Sequence, residues 1–341
     1  MYEILNNLIQ RTGIDSGLPY WIILAGAIVI GLLLLTKGGD ALSDHSSNLA
    51  KGLGVPSVVV GLTIVSIATS APELFTSVAA IRSNAEGLIL GNIIGSNIAN
   101  IGLILGLTLI LKPIDTRNTI SKRQNTILFL LTVSFCVFLF LTPSQSISFV
   151  PGMILLGFIF IYLLNTTFLA LKQRKNEEEK KITNERVDHK SKGHFLSAFF
   201  ILLATLALWA GSDFLVFGAK NLATIAGVPE ELIGFSILAI GTSLPELAAS
   251  ISLVKKGEYQ MLLGNVVGSN VFNIALVGGV AGVLGPISSQ TPFPWVDYLS
   301  LLLLTALFCF WMKGRTLKRV EGFFLLACYL SSTLLTWVVN G

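Results

Sequence analysis

The chain has 341 residues, of which 53% are hydrophobic and only 12% are charged, and its mean hydropathy is +0.76. Soluble domains carry about 25% charged residues, so this composition excludes an ordinary water-soluble globule. The three cysteines all lie in apolar segments, which argues against a disulfide framework or a CxxC metal site. The net charge of +4 becomes informative only through the positions of the basic residues.

Apolar segments near or above the ~20 residues that a helix needs to cross a bilayer recur from one end of the chain to the other. They predict an all-α polytopic membrane protein, located in the cell membrane. We predict ten transmembrane helices, near residues 20–36, 56–81, 87–111, 124–142, 147–171, 195–210, 229–254, 258–284, 295–312 and 320–339.

The basic residues predict the orientation of these helices. If the N-terminus is outside, the loops on the cytosolic side hold 20 of the 23 lysines and arginines, and only Arg11, Arg82 and Lys220 remain outside. Cytosolic loops of membrane proteins are enriched in Lys and Arg. We therefore expect both termini to be outside. A wrong number of spans would move many of these basic residues to the outer side, so their distribution also supports ten helices.

One polar segment divides the chain into halves. Residues 172–193 mix both charge signs and contain no aromatic residue except for the histidine at position 189, so we expect a solvated cytosolic linker. On either side, residues 1–171 and 194–341 each contain five predicted helices. An odd number of spans turns the second half upside down relative to the first.

The two halves also share sequence. Residues 38–106 align with residues 211–279 without a gap, at a constant offset of 173, and the triplets GVP, PEL and GSN each recur. The most similar parts are residues 61–106 and 234–279. Inverted repeats with broken helices at matching positions are a hallmark of secondary transporters, whose binding site lies between the repeats near the middle of the membrane.

The repeated segments IATSAPELFTS and IGTSLPELAAS place a proline inside an apolar span. Proline lacks an N–H and clashes with the carbonyl four residues earlier, so Pro72 and Pro245 each free backbone carbonyls. Such oxygens are costly in hydrocarbon unless a polar group meets them. In both segments a glutamate follows the proline at once, and this combination suits a hard cation.

Glu73 and Glu246 are the only acidic residues well inside a predicted span, and no Lys or Arg lies at the same depth. An ionised carboxylate at that depth is expensive and usually marks an ion pathway. The expected partner is a mobile cation, with protonation as the alternative.

Helical spacing groups further polar residues with the two glutamates. Hydroxyl and amide groups also join helices in membranes, so any one of them is ambiguous, and we interpret Asn92, Asn97, Asn265 and Asn270 as packing residues. Polar stripes at three- to four-residue spacing consist of Ser66, Thr69, Ser70, Glu73 and Ser77 in the first half, Thr242, Ser243, Glu246 and Ser250 in the second, and, in the spans that follow, Asn92, Ser96 and Asn100 or Asn265, Ser269 and Asn273.

This ligand set contains only oxygen donors, which favours Ca²⁺ or Na⁺ over soft metals, and an irregular cage suits Ca²⁺ better than Mg²⁺. If the two glutamates converge, one Ca²⁺ neutralises both, and so do monovalent cations that share the cage. Because the carboxylates are shared, Ca²⁺ and the monovalent cations cannot bind at the same time. This exclusion is the minimum requirement for antiport.

The motifs ATSAPELFTS with GNIIGSNIAN, and GTSLPELAAS with GNVVGSNVFN, resemble the α-repeats of the cation/Ca²⁺ antiporters, especially the prokaryotic sodium/calcium exchangers. The resemblance covers nearly the whole chain. It implies a monomeric ten-helix antiporter that exchanges Na⁺ for Ca²⁺ electrogenically by alternating access, in which the first and sixth helices slide against the rest. It implies no cofactor, because the ions bind as substrates.

The resemblance also implies roles for individual residues. Glu73 and Glu246 would be ligands of both ions, and Thr69 and Thr242 would lend backbone carbonyls to Ca²⁺. Four serines would help to hold Na⁺, namely Ser70, Ser243, Ser96 and Ser269. Ala239 would offer a carbonyl, whereas its counterpart Ser66 departs from the usual Ala.

Asn100 and Asn273 complete the implied site. Some relatives have Asp at the position of Asn273, and in the potassium-dependent branch that Asp is associated with K⁺ use. With both positions neutral here, we expect exchange that does not require K⁺.

Four other classes are less compatible with the sequence. Proton-coupled Ca²⁺ exchange could use the same two glutamates, but it leaves the hydroxyl stripe without a purpose. An intramembrane hydrolase is disfavoured because no histidine lies in a predicted span and neither GxSxG nor HExxH occurs. A passive channel remains open to a flux test. Nucleic-acid binding has no support beyond basic loops that the orientation already explains.

Overall fold

The computed structural model describes residues 17–82, 87–117, 119–142, 146–181, 192–225, 239–285 and 295–340. In these ranges the chain is helical apart from loops and one pair of two-residue strands. Seven of the described helical segments are long and apolar enough to cross a membrane, and Trp295–Trp311 is a shorter apolar helix. The protein is therefore an all-α polytopic membrane protein, as predicted.

The first half of the chain forms eight helical pieces and one strand. They are α1 (Gly17–Leu53), α2 (Ser57–Val60), α3 (Ser66–Thr69), α4 (Ala71–Arg82), α5 (Gly87–Ala99), α6 (Gly106–Leu111), β1 (Ile114–Asp115), α7 (Lys122–Leu141) and α8 (Phe149–Lys181). Turns of π-helix, Gly61–Val65 and Asn100–Leu105, join α2 to α3 and α5 to α6.

The second half follows the same plan. It consists of α9 (Lys192–Ile225), α10 (Ala239–Thr242), α11 (Leu244–Lys256), α12 (Tyr259–Phe272), α13 (Gly278–Leu284), α14 (Trp295–Trp311), β2 (Thr316–Leu317) and α15 (Arg319–Asn340). A π-helical turn at Asn273–Val277 joins α12 to α13, at the position equivalent to the turn that begins at Asn100. Such turns occur frequently at functional sites.

Helix runs through most of each predicted span that the structure describes, but several helices are longer than their apolar segments. α1 continues to Leu53, well beyond the predicted end near residue 36, and it contains His45, which stacks on Phe200 at 4.6 Å. His45 therefore lies in a helix, beyond the predicted end of its span, and not in a loop. The predicted linker is helical up to Lys181 and again from Lys192, and its middle lies outside the described residues. The first part of the predicted seventh span, residues 229–238, also lies outside them.

The two proline motifs break their helices in the same way. α3 ends at Thr69, and Ser70 has φ −86° and ψ 4° before α4 begins. In the second half α10 ends at Thr242, and Ser243 has φ −87° and ψ 2° before α11 begins. Because proline cannot continue the hydrogen-bond ladder of the preceding turn, each break falls just before the glutamate.

Burial distinguishes central from peripheral helices. In the segment Tyr259–Leu284, 83% of an apolar stretch of 18 residues is buried. The share is 22% for the corresponding stretches of Pro19–Leu53 and Phe149–Lys172. The central segment is therefore enclosed by protein, whereas α1 and α8 present most of their apolar surface to lipid. The broken helices lie in the enclosed part of the fold.

Glycines allow the central helices of the two halves to touch backbone to backbone. A β-carbon at Gly264 would lie 2.5 Å from the carbonyl oxygen of Val58 and 3.0 Å from the amide nitrogen of Leu62. A β-carbon at Gly61 would collide with the carbonyl of Met261. Small residues permit such approach in membrane helices, so these two positions set the distance between α2 and α12.

Polar contacts tie several loop-proximal segments together. β1 pairs with β2 antiparallel, with Ile114 opposite Leu317. The Lys256 ammonium lies 2.8 Å from a carboxylate oxygen of Asp44, and the Ser252 hydroxyl donates to Asp40 at 2.7 Å. These contacts join the end of α1 to the end of α11, and the loop after α6 to the loop after α14.

Candidate functional site

The two glutamates lie at the centre of the fold. Glu73 and Glu246 are each 1% exposed, and each occupies the first turn of the helix that follows a proline break, α4 or α11. The positive end of a helix macrodipole stabilises negative charge at that position. Ser70, one turn before Glu73 in the first half, hydrogen-bonds to Glu246 of the second half. The halves therefore bring both carboxylates into one site.

A direct hydrogen bond joins the halves at this site. The Ser70 hydroxyl donates to Oε1 of Glu246 at 2.9 Å. A residue of the first proline motif thus contacts the glutamate of the second, which sequence alone could not establish.

A set of weaker polar contacts repeats with the same offset of 173 residues. The Thr69 hydroxyl lies 3.4 Å from Oδ1 of Asn265, and the Thr242 hydroxyl lies 3.4 Å from Oδ1 of Asn92. Ser96 approaches Asn92 at 3.4 Å, and its equivalent Ser269 approaches Asn265 at 3.5 Å. The polar lining of the site therefore follows the internal repeat of the sequence.

Asn92 and Asn265, which we interpreted as packing residues, face hydroxyls of the predicted site residues. Oδ1 of Asn265 faces the hydroxyls of Ser66, Thr69 and Ser269, at 3.3 to 3.5 Å. The sequence places each asparagine on a polar stripe, four residues before a predicted site serine. Hydrogen bonds between helices are also what a packing role requires, so these contacts agree with both interpretations.

Asn97 and Asn270 form a different kind of hydrogen bond from Asn92 and Asn265. The amide nitrogen of Asn97 donates to the carbonyl of Ile93 at 2.6 Å, and that of Asn270 donates to Val266 at 2.7 Å. Both bonds stay within one helix. The amide nitrogens of these asparagines therefore bond to backbone carbonyls of their own helices and not to other residues of the site.

The predicted site residues are buried wherever their side chains are described. The side chain of Ala239 lies outside that part, although its backbone begins α10. Ser66, which stands where Ala is usual, uses its hydroxyl to donate a hydrogen bond to the Gly61 carbonyl at 2.7 Å. The buried residues are Ser66, Thr69, Ser70, Glu73, Ser96, Asn100, Thr242, Ser243, Glu246, Ser269 and Asn273.

Many polar atoms of this cluster have no hydrogen-bond partner among the described residues. Buried polar atoms are normally paired, so a concentration of unpaired ones indicates a place where polar groups meet a ligand. The atoms concerned are both carboxylate oxygens of Glu73, Oε2 of Glu246, the hydroxyls of Ser243 and Ser250, Nδ2 of Asn100, and both amide atoms of Asn273.

The chemistry of the site favours a hard cation. Among the side chains that the structure describes, no Lys or Arg is buried, so none of them neutralises the two carboxylates. The described residues also contain no group of three or more His, Cys, Asp and Glu side chains that could hold a metal ion. Carboxylate, hydroxyl and amide oxygens are the donors that Ca²⁺ and Na⁺ prefer, whereas soft metals prefer sulfur and imidazole.

Comparison with known proteins agrees with this chemistry. The model of the family described as "Sodium/calcium exchanger protein" matches residues 23–168 and 196–338. The sodium/calcium exchanger MaX1 of Methanosarcina acetivorans is 30% identical over 337 residues, covering 89% of this chain and 95% of that protein. The putative antiporter CaxA of Alkalimonas amylolytica is 33% identical over 308 residues, with the same coverage.

A solved structure of the sodium–calcium exchanger NCX_Mj, soaked with 10 mM Na⁺ and no Ca²⁺, has a TM-score of 0.78 to this chain. The two are 28% identical, and the match covers 92% of this chain and 98% of NCX_Mj. Family model, full-length relatives and fold thus agree with one another. The chain belongs to the sodium/calcium exchanger family, and it is a cell-membrane antiporter of the Na⁺/Ca²⁺ exchanger type rather than an enzyme.

Proposed function

We propose that this protein exchanges Na⁺ for Ca²⁺ by alternating access at one cage that both ions share. Glu73 and Glu246 are ligands of both ions, supported by the hydroxyls, amides and freed carbonyls around them. The observation that carries the proposal is the hydrogen bond from Ser70 to Glu246, because it joins the two halves at the carboxylate itself. The protein works as a monomer in the bilayer and needs no cofactor.

The charge of the cage explains why bound Ca²⁺ and bound Na⁺ exclude each other. The two carboxylates supply two negative charges, which one Ca²⁺ neutralises. Na⁺ ions that occupy the same carboxylates displace Ca²⁺, and the serines Ser70, Ser243, Ser96 and Ser269 provide additional ligands. An extra Na⁺ beyond charge balance makes the exchange electrogenic.

We propose a topology of ten helices in two inverted five-helix repeats, residues 1–171 and 194–341, joined by a cytosolic linker at 172–193, with both termini outside. Contacts between segments that this topology assigns to the cytosolic side support it. β1 and β2, which follow the third and ninth spans, pair with each other. Lys256, after the seventh span, pairs with Asp44 near the end of the first.

The direct test is ⁴⁵Ca²⁺ uptake into Na⁺-loaded proteoliposomes that are diluted into Na⁺-free buffer with the pH clamped on both sides. We expect uptake that collapses without the Na⁺ gradient. With equal K⁺ on both sides, valinomycin should accelerate uptake, because it dissipates the inside-negative potential that electrogenic exchange builds up. Valinomycin without effect would contradict electrogenic exchange.

The second candidate is H⁺/Ca²⁺ antiport through the same two glutamates. The observation that favours it is the burial of Glu73 without a hydrogen-bond partner among the described residues, since such a group can bind a proton in place of a cation. In the same vesicles, uptake that ignores Na⁺ and follows an imposed pH gradient would establish this alternative and reject Na⁺ coupling.

Exchange is expected not to require K⁺. Asn100 and Asn273 are buried in the cage and carry no charge, so the site lacks a third carboxylate that could balance an additional cation. Adding K⁺ at fixed Na⁺ and Ca²⁺ should leave the initial rate unchanged, with choline as the ionic-strength control. An absolute need for K⁺ would show that the neutral pair does not set ion selectivity.

Asn265 is expected to matter more for transport than Asn270 on the same helix. Asn265→Ala removes an oxygen that holds Ser66, Thr69 and Ser269 in place. Loss of a group that orients metal ligands typically costs about 10- to 100-fold, so we expect Na⁺-driven uptake to fall by at least about tenfold. Asn270→Ala is the matched control, because this asparagine bonds only within its helix. Equal losses of uptake in the two variants would contradict the assignment.

A further inference from the structure

A cavity lies between α7 and α8, away from the cation site. Its volume is about 150 Å³, and its lining includes Arg123, Gln124, Tyr162 and Asn165 together with Ile127 and Phe158. The helices are peripheral, and their outer faces carry exposed apolar residues such as Phe160 and Ile161. The cavity is therefore a groove at the lipid-facing surface and not part of the ion pathway.

One end of the groove is positively charged. Arg123 is exposed at the start of α7, and within the described ranges it forms no ion pair with a carboxylate. Ser121 and Gln124 form a capping box at the same helix terminus. A helix N-terminus also favours negative charge, so the arginine and the terminus together present a site for an anion.

A buried polar group lines the same groove. Tyr162 is 5% exposed, and its hydroxyl has no hydrogen-bond partner in the described part of the chain. That hydroxyl lies near Thr166, one turn further along α8, without reaching hydrogen-bond geometry. A buried hydroxyl without a partner is costly, which indicates that a polar group from outside the chain completes it.

The walls between these polar groups are apolar. Ile127 and Phe158 line the interior, and Ile161, which is 65% exposed, forms part of the lipid-facing rim. A cavity of about 150 Å³ has room for several water-sized groups. The groove can thus enclose a phosphate with the adjoining glycerol or a short part of an acyl chain, while the rest of the lipid stays in the bilayer.

We propose that this groove binds an anionic glycerophospholipid. The phosphate lies against the Arg123 guanidinium, the Tyr162 hydroxyl donates to a lipid oxygen, and the acyl chain leaves past Ile161. Cytosolic leaflets are rich in anionic lipids, which juxtamembrane basic residues attract. The choice of the cytosolic leaflet rests on the proposed topology, but the groove and its chemistry do not.

The test is native mass spectrometry of the full-length protein, titrated with phosphatidylglycerol or with phosphatidylcholine. Wild type should bind phosphatidylglycerol about fivefold more tightly, the effect of roughly one basic residue at a membrane surface. Arg123→Ala should abolish this preference. Arg319→Ala is the matched control, because Arg319 is another exposed arginine at a helix start and lies outside the groove.

Tyr162→Phe provides a second variant that keeps the ring and removes only the hydroxyl. It should weaken phosphatidylglycerol binding while the melting temperature without lipid stays at or above that of wild type. Inorganic phosphate should not displace the bound lipid. Equal affinity for the two lipids in wild type, an equal loss of preference in both arginine variants, or displacement by free phosphate would each overturn the proposal.

Discussion

Glu246→Gln is expected to reduce Na⁺-driven Ca²⁺ uptake about a thousand-fold. A unit charge about 4 Å from another contributes about 4 kcal/mol at an effective dielectric constant of about 20. The substitution removes one of the two charges that face Ca²⁺ and keeps the size of the side chain. A loss of about 4 kcal/mol corresponds to roughly a thousand-fold in affinity, because each 1.4 kcal/mol is tenfold. Initial uptake rates at low Ca²⁺ measure the effect.

Two controls separate loss of the ligand from loss of the fold. Glu258→Gln makes the same chemical change at a glutamate that accepts from Ser47 at 2.6 Å, outside the cage, and should keep most of the activity. Without Na⁺ and Ca²⁺, Glu246→Gln should be at least as heat-stable as wild type, because it removes a buried negative charge that no cation then neutralises. It should lose the stabilisation that Ca²⁺ gives to wild type. Uptake near the wild-type rate would show that Glu246 is not a ligand.

Gly264→Ala is expected to destabilise the protein and to impair transport together. The added methyl would lie 2.5 Å from the Val58 carbonyl and 3.0 Å from the Leu62 amide, and both are backbone atoms that cannot rotate away. Overpacking of this kind costs about 1–3 kcal/mol. The helices α2 and α12 must separate, and this shift moves Ser66 relative to Asn265. Thermal unfolding in detergent and uptake in vesicles measure the two effects.

Gly157→Ala is the matched control for this substitution. Gly157 is exposed on α8, and a β-carbon there would have no heavy atom within 4 Å. Because alanine favours helix over glycine by about 1 kcal/mol, stability should stay constant or rise. If Gly264→Ala unfolds at the temperature of wild type and transports normally, the two halves do not depend on this close contact.

The main features of the fold could be predicted because the bilayer imposes strong patterns. Apolar length marks the spans, and proline inside an apolar run marks a break. The breaks at Ser70 and Ser243 lie where Pro72 and Pro245 place them. The predicted importance of Glu73 and Glu246 follows from the cost of a carboxylate in hydrocarbon, which few structural roles justify.

Other features depend on contacts that no local pattern encodes. Asn92 and Asn97 have the same side chain on the same helix, yet only Asn92 faces hydroxyls of the cage. Their roles depend on the neighbouring helix that each side faces. Helix ends were also missed, because hydropathy marks where a helix leaves the membrane and not where it stops. α8 therefore continues through charged residues to Lys181.

The groove between α7 and α8 illustrates the same limit. Arg123 was counted only as one of the basic residues that orient the chain, and Tyr162 was part of an apolar run. The two are 39 positions apart in the sequence, and only the packing of the two helices places them in one cavity. A sequence pattern cannot identify a site whose parts become neighbours through tertiary structure.

The central claim is that one cage holds either ion and never both. Its most direct test is equilibrium binding of ⁴⁵Ca²⁺ to the purified protein at increasing Na⁺, with choline keeping the ionic strength constant. We predict one Ca²⁺ per chain, displaced completely by Na⁺ with a dependence steeper than one Na⁺ per Ca²⁺, and no high-affinity binding in Glu246→Gln. Ca²⁺ binding that persists at saturating Na⁺ would show separate sites and contradict the shared cage.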